Sequence, residues 1–326
     1  MSATGLKILL TGKNGQVGHE LERSLQGLGT VIAPDRQHMD LANPDQLRAF
    51  IREVQPDLII NPAAYTAVDL AESEPELAMR INAEAPGLMA EEAARLGATL
   101  IHFSTDYVFD GSKAGPYLET DATNPVSVYG KTKLAGEQAV IAADCAHLIL
   151  RTSWVYGLRG KNFLLTMLRL GRERDTLRVV ADQFGAPTWS RTLAEVTAHA
   201  VAQSLTVRGS QFAGMAAGEH PDAGHDAAHG DPAGVKSARA QHDWWRERSG
   251  IYHVTAQGKT SWHGFTEAIL AQANTGKPCT VQPITSAEYP TPARRPANSS
   301  LSCAKFMQQF CGLPQWDTAL ALCMQS

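Results

Sequence analysis

Two periodicities take turns along the first 150 residues, and that alternation leaves few folds open. Short apolar runs lie at Leu6–Leu10, Thr30–Ala33, Leu58–Asn61, Thr99–Phe103 and His147–Leu150. Each is apolar at successive positions, so each reads as a strand buried on both faces. Between them, Gly15–Leu28, Pro44–Val54, Pro75–Leu96 and Ser127–Ala142 carry helical spacing. Asn43 before Pro44 supplies an N-cap ahead of a proline at the first helical position. Strand–helix alternation of this kind predicts an α/β fold, a doubly wound parallel sheet with helices on both faces.

Beyond residue 150 the alternation loosens. Helices are expected at Asn162–Arg174, Arg191–Ser204 and Trp262–Asn274, and a strand at Leu177–Val180, with turn-rich pieces around Tyr289-Pro290 and Arg295-Pro296. The expected division is a dinucleotide-binding domain over 1–157, to which parts of 177–204 and 251–258 return. A smaller mixed α/β substrate-binding lobe covers 158–326, interrupted by a flexible insertion at about 205–248. Within that insertion, Ala213–Asp243 is rich in Ala, Gly and His and poor in large apolar side chains, so little burial offsets the entropy of ordering it, and Trp244-Trp245 marks where the chain packs again. His220, His225 and His229 invite a metal reading, but Gly224, Gly230 and Pro232 weaken any helix that would align them, and a solvated loop is expected.

Composition narrows the class of function. The formal net charge of −4 gives no bulk cationic field for nucleic acid or an anionic membrane. No run approaches the roughly 20 apolar residues of a bilayer span. The N-terminus carries one Lys7 in a short apolar run and does not read as a signal peptide. Five scattered cysteines with no C-x-x-C pair read as reduced thiols, which places the chain in the cytoplasm.

Thr11-Gly12-Lys13-Asn14-Gly15-Gln16-Val17-Gly18 directly follows the first strand and opens a helix. Glycines at 12, 15 and 18 suit a tight turn, close approach of backbone to a pyrophosphate, and close helix–strand packing. The helix N-terminus offers unpaired N–H groups to the phosphates. Asp35 stands at the end of the next strand, about 20 residues on, where a carboxylate meets the ribose hydroxyls of NADH. Arg36 beside it favours the 2′-phosphate of NADPH, so both cofactors stay open. Asp40-Leu41 is expected to face the adenine, and the small residues Ala63 and Ala64, with Tyr65, leave room for a cofactor at the third strand's end.

Tyr129 and Lys133 share a helix face four residues apart. An ammonium nearby is expected to lower the phenol's pKa from about 10 and make Tyr129 a proton donor. Ser104 and Thr105 follow the fourth strand, at the sheet edge where ligands lie, and a hydroxyl there can bond the oxygen that Tyr129 protonates.

Taken together, Gly12-x-x-Gly15-x-x-Gly18, Ser104-Thr105-Asp106-Tyr107-Val108-Phe109 and Tyr129-x-x-x-Lys133 resemble the extended short-chain dehydrogenase/reductases, a Rossmann-like superfamily. Ala63-Ala64-Tyr65-Thr66-Ala67-Val68-Asp69, Arg151-Thr152-Ser153-Trp154-Val155-Tyr156, Asp182-Gln183-Phe184-Gly185-Ala186-Pro187-Thr188 and Arg295-Pro296-Ala297-Asn298 are similar to the dTDP-4-dehydrorhamnose reductase family within it. The resemblance implies an oxidoreductase that uses NADPH or NADH to reduce the 4-keto group of dTDP-4-dehydro-β-L-rhamnose, a step toward cell-surface polysaccharide. It implies catalytic roles for Thr105, Tyr129 and Lys133, and sugar-nucleotide contacts for Asp106, Tyr107 and Trp154. Arg295 is expected either to grip the diphosphate or to pin the late lobe. Gln16, Val17, Tyr65, Tyr129 and Lys133 join the cofactor set. Some members dimerise around Mg²⁺. Mg²⁺ and a homodimer therefore stay open, with no metal ligand assigned.

Two other readings share the scaffold. A sugar-nucleotide dehydratase needs an Asp-Glu pair after the threonine, whereas Asp106 is followed here by Tyr107, and an epimerase recycles its bound cofactor. A regulatory subunit that binds NADP without catalysis is the third reading.

Overall fold

The computed structural model describes residues 5–213, 232–274 and 276–326, with side chains from 208–213 and 232–237 left out. The expected histidine-bearing loop, with His220, His225 and His229, lies outside the described residues. Strands β1 (Lys7–Leu10), β2 (Thr30–Ile32), β3 (Leu58–Asn61), β4 (Thr99–Thr105), β5 (Ala146–Thr152) and β6 (Gly250–His253) form one sheet in the order β6-β5-β4-β3-β1-β2. Every pairing in it is parallel. The doubly wound sheet predicted from the apolar runs is therefore present, with the late strand β6 returning to its edge.

Alternate residues of these strands feed two cores, as the pleat requires. Ile8, Leu10, Ile60, Ile101 and Leu148 point to one face, packed with Leu193, Val201 and Trp245. Leu9, Ile59, Leu100 and Ile149 point to the other, against Leu47, Ile51, Met89 and Ala93. A third core, with Tyr156, Leu164, Val179, Trp189, Phe265 and Leu320, belongs to the smaller lobe. The lobe gathers the helices Phe163–Glu173, Trp262–Gln272 and Trp316–Gln325 around a parallel pair of strands, Thr176–Val180 and Thr280–Ile284.

Three expectations are corrected. β4 and β5 run two residues past their apolar stretches, to Thr105 and Thr152. Two of their polar residues share a buried carboxylate of the helix above. Ser104 donates to Glu137 at 2.5 Å, and Arg151 pairs with the same carboxylate at 2.6 Å, all buried. The expected single helix Pro75–Leu96 is interrupted by a π turn at Arg80–Glu84. Finally, the stretch 205–248 is helical at both ends, in Ser190–Ala213 and Pro232–Glu247. These helices pack on each other, and the second packs on β5. Gln241 bonds Ser204 at 2.9 Å, and Trp245 is buried in the main core. The few large side chains near the ends of the stretch are enough to anchor them.

Candidate active site

The turn after β1 is shaped by what its glycines leave out. Gly12 has φ +62, and a Cβ on it would come within 3.0 Å of Ala63. A Cβ on Gly18 would lie 2.1 Å from the Gly12 carbonyl oxygen, so the helix starts hard against the turn. Gly15 caps the helix Gln16–Ser24 with no side-chain bond to its first N–H groups. A cleft of about 220 Å³ gathers Gly12, Asp35, Arg36, Asp40, Leu41, Ala63 and Ala64, and adds Lys13, Met39 and Ile81, which carried no sequence signal. Gly bareness, N–H groups without a side-chain cap and a carboxylate beside a guanidinium fit a dinucleotide phosphate and ribose.

Other residues expected at the cofactor have partners within the protein. Gln16 reaches the Val155 carbonyl at 3.4 Å and accepts from Asn162 at 2.9 Å, tying the first helix to the lobe. Val17 packs on the main core. Tyr65 donates to Glu74 at 2.6 Å, a bond that pushes its phenol up to about 12. Its backbone is clamped by Asn82, which accepts from the Tyr65 N–H at 2.8 Å and donates to its carbonyl at 3.1 Å. Asn82 sits in the π turn and had no signal in the sequence. Asp35 Oδ1 accepts from the Gln37 and His38 backbone and lies 2.6 Å from the His38 ring, which holds its carboxyl below the usual range.

Ser127 caps the helix Val128–Ala142 by accepting from Gly130 N at 3.1 Å. Gly130 lies under Tyr107, whose carbonyl oxygen would stand 2.2 Å from a Cβ there. This contact sets Tyr129 against the end of β4, where its ring meets Tyr107 edge-on at 5.6 Å. The Thr105 hydroxyl faces the Tyr129 phenol and acts to lower its pKa. It also donates to Asp106 at 3.0 Å and accepts from Tyr107 N at 3.2 Å.

The expected acidification of Tyr129 by Lys133 is not what the structure shows. Burial pushes the phenol up to about 12, and the nearby Asp106 charge adds to the rise. Lys133 instead runs down into the sheet, donating to the Phe103 carbonyl at 2.7 Å and lying 3.2 Å from His102 Nε2. Its burial lowers it to about 8. Spacing of four fixes where two side chains leave a helix, but a long stem is free to seek its own partners. Asp106, buried, is raised to about 6 by desolvation, and its Oδ2 lacks a well-formed partner although Ser299 lies near. That atom is a ready acceptor for a hydroxyl.

Toward the lobe, a second cleft of about 480 Å³ is lined by residues including Asp69, Phe163, Gln183, Trp262, Tyr289 and Arg295. Trp154 adopts φ 47 and stacks face to face on Trp262, centroids 3.5 Å apart and planes within 7°. Gly185 lies on its ring, where a Cβ would be only 2.6 Å away. Trp154 thus holds up the cleft wall through Trp262, which the sequence did not single out. Arg295 pairs with both oxygens of Asp69, at 3.1 and 2.8 Å, bonds Thr291, and faces Tyr107. Arg295 is thus tied to Asp69 while it also lines the lobe cleft.

A parallel sheet with a bare glycine turn, a threonine at one strand's carboxyl end and a tyrosine on the next helix defines a short-chain dehydrogenase/reductase. The family model described as the RmlD substrate binding domain matches residues 6–215 and 232–326. The chain is 45% identical to dTDP-4-dehydrorhamnose reductase of Burkholderia thailandensis over 98% of each chain. It is 43% identical to that of Escherichia coli K12, covering 97% of this chain and 96% of the other. The crystal structure of the Bacillus anthracis enzyme in complex with NADP superposes with a TM-score of 0.81, at 31% identity over 99% of each chain. The chain belongs to the family of dTDP-4-dehydrorhamnose reductases.

Proposed function

We propose that this chain reduces dTDP-4-dehydro-β-L-rhamnose to dTDP-β-L-rhamnose in the cytoplasm, with Tyr129 as the proton donor. Gly12, Asp35, Arg36 and Ala63 would hold NADPH or NADH, which would supply a hydride for C4 of the sugar. As the carbonyl oxygen gains charge, the Tyr129 phenol gives it a proton and the Thr105 hydroxyl steadies it. A phenol at about 12 remains a far stronger acid than an alcohol, whose pKa lies near the roughly 15.7 of water, so the transfer runs downhill despite the raised value. Lys133, one helical turn on but turned to the Phe103 carbonyl and His102, would hold the nicotinamide ribose with its ammonium rather than acidify the phenol. Asp106 accepts a sugar hydroxyl at its unpartnered oxygen, and the lobe cleft with Trp262 takes the nucleotide.

The observation that carries this reading is the meeting of Thr105, Tyr129 and the buried, under-bonded Asp106 at the carboxyl edge of β4. Residues 1–157, with parts of 177–204 and 251–258, serve as the cofactor half, and the rest of 158–326 as the substrate half. Among the described residues no group of three His, Cys, Asp or Glu side chains is placed to hold a metal, and none of the helices described is long and apolar enough to cross a membrane. We assign no Mg²⁺ ligand. The test is stoichiometry: purified protein with dTDP-4-dehydrorhamnose should oxidise one NADPH or NADH per dTDP-rhamnose formed. Product without net loss of nicotinamide absorbance would point to an epimerase or dehydratase, and binding without turnover to a regulatory subunit.

A further inference from the structure

The interior of β4 carries a side chain that this mechanism does not use. His102 is fully buried in the middle of the sheet. Lys133 Nζ lies 3.2 Å from its Nε2, and the Asn61 amide at the end of β3 lies 3.1 Å from its Nδ1. Thr11, at the mouth of the dinucleotide turn, bonds the same amide at 2.6 Å. The row Thr11–Asn61–His102–Lys133 therefore crosses three neighbouring strands and ends on the helix that bears Tyr129.

The chemistry of the row fixes the state of the ring. An ammonium has donors only, so it needs a lone pair on His102 Nε2 in addition to the Phe103 carbonyl. The imidazole must then be neutral, with its proton on Nδ1. Burial and the charge on Lys133 both hold it neutral. The Asn61 amide meets an Nδ1–H with its oxygen after a half-turn of its plane, which turns its NH₂ to the Thr11 hydroxyl oxygen. Both ring nitrogens of His102 are then partnered, and a flexible lysine stem gains a fixed second anchor.

We propose that His102 is a positioning residue for the reductase site, whose neutral imidazole, locked from behind by Asn61, fixes the Lys133 ammonium one helical turn from Tyr129. The proposal rests on the reading of Lys133 as a group that serves reduction. Without the imidazole, Lys133 keeps the Phe103 carbonyl alone and its charge is no longer held at one place.

Three replacements separate this role from simple filling of the core. His102→Gln sets an amide where Nε2 stood and still serves Lys133. His102→Asn sets one where Nδ1 stood and serves only Asn61. His102→Leu serves neither. The Leu and Asn variants should lose about tenfold or more in kcat, since small misplacements near the reacting atoms are costly. The Gln variant should recover most of it, and KM for NADPH should stay within about twofold in all three. The alkaline limb of kcat/KM should move to lower pH in the Leu and Asn variants and return in the Gln variant. Among the described residues, the charged and titratable groups facing the ammonium are His102 from β4 and Glu137 on its own helix, the latter paired to Arg151 of β5. Only the first changes in this series.

Wild-type turnover in all three variants would overturn the proposal. So would equal losses in all three that follow a lowered melting temperature. A readout independent of turnover is ¹⁵N NMR of the histidine-labelled protein, expected to show His102 neutral and protonated at Nδ1 from about pH 6 to about pH 9. An imidazolium, or a proton on Nε2, would refute the arrangement. Wild-type turnover by Lys133→Met, with the His102 tautomer as expected, would instead remove the reading of the site on which the proposal stands.

Discussion

The two clefts of this molecule are held by opposite means. At the sheet's carboxyl edge, positions follow from short-range devices: a glycine turn, an Asn and a Ser N-cap, and strand ends that bond the next helix. In the lobe, positions come from side chains that meet only after the chain has folded: Trp154 on Trp262, and Arg295 on Asp69 across 226 residues. The first cleft is a property of local backbone, and the second of tertiary packing. Chemistry should therefore fail sharply at the first and substrate affinity should drift at the second.

The largest effect is expected at Tyr129. Tyr129→Phe should lower kcat by about 10²–10⁴-fold, the usual worth of a positioned acid, while NADPH still binds, as fluorescence titration will report. Turnover near wild type would take the acid role away. Next comes Arg151→Met, which leaves the Glu137 carboxylate buried without its counter-charge, with the Ser104 hydroxyl still on it. The cost should be about 3–5 kcal/mol of folding free energy, read from the denaturant midpoint. A loss below about 1 kcal/mol would mean that the strand ends do not depend on that pair.

The pH profile of kcat/KM should be bell-shaped. Asp106, raised to about 6, must be ionised to accept a hydroxyl, so activity falls as pH drops through about 6. Lys133, lowered to about 8, must be charged, so activity falls as pH rises through about 8. Asp106→Asn should abolish the acid limb alone. The smallest effect belongs to the lobe. Gly185→Ala presses on the Trp154 ring and should raise KM for the nucleotide sugar about fivefold, leaving KM for NADPH unchanged; an equal rise in both would erase the contrast between the clefts.

The same contrast explains what could be read from the sequence. The sheet was legible because the apolar residues of each strand, from Ile8 to Leu150, alternate between two cores. Gly12, Thr105 and Tyr129 were legible because each sits at a fixed step from a strand or cap. Lys133 was half legible: its helix face follows from spacing, but its stem turns to Phe103 and His102, which only three-dimensional contact reveals. His102 left a mark, a histidine inside an otherwise apolar strand, and that mark was overlooked. Trp262 and Asn82 left none, because the partners that give them meaning lie far away in the chain. The return to packing at Trp244-Trp245 was legible, whereas the helices that lead out of and back from 205–248 were not, because composition averages over a stretch.

The π turn at Arg80–Glu84 has a consequence for how this chain tolerates change. One surplus residue lets Asn82 reach both Tyr65 and, at 3.1 Å, Thr132, the neighbour of Lys133. Shortening that turn by one residue would mend the helix and gain it a regular bond. It would also swing every later side chain by about 100° and carry Asn82 or its neighbours out of register. A deletion that makes this segment a better helix would thus loosen the site, because the irregularity is what joins the loop after β3 to the helix that carries Tyr129.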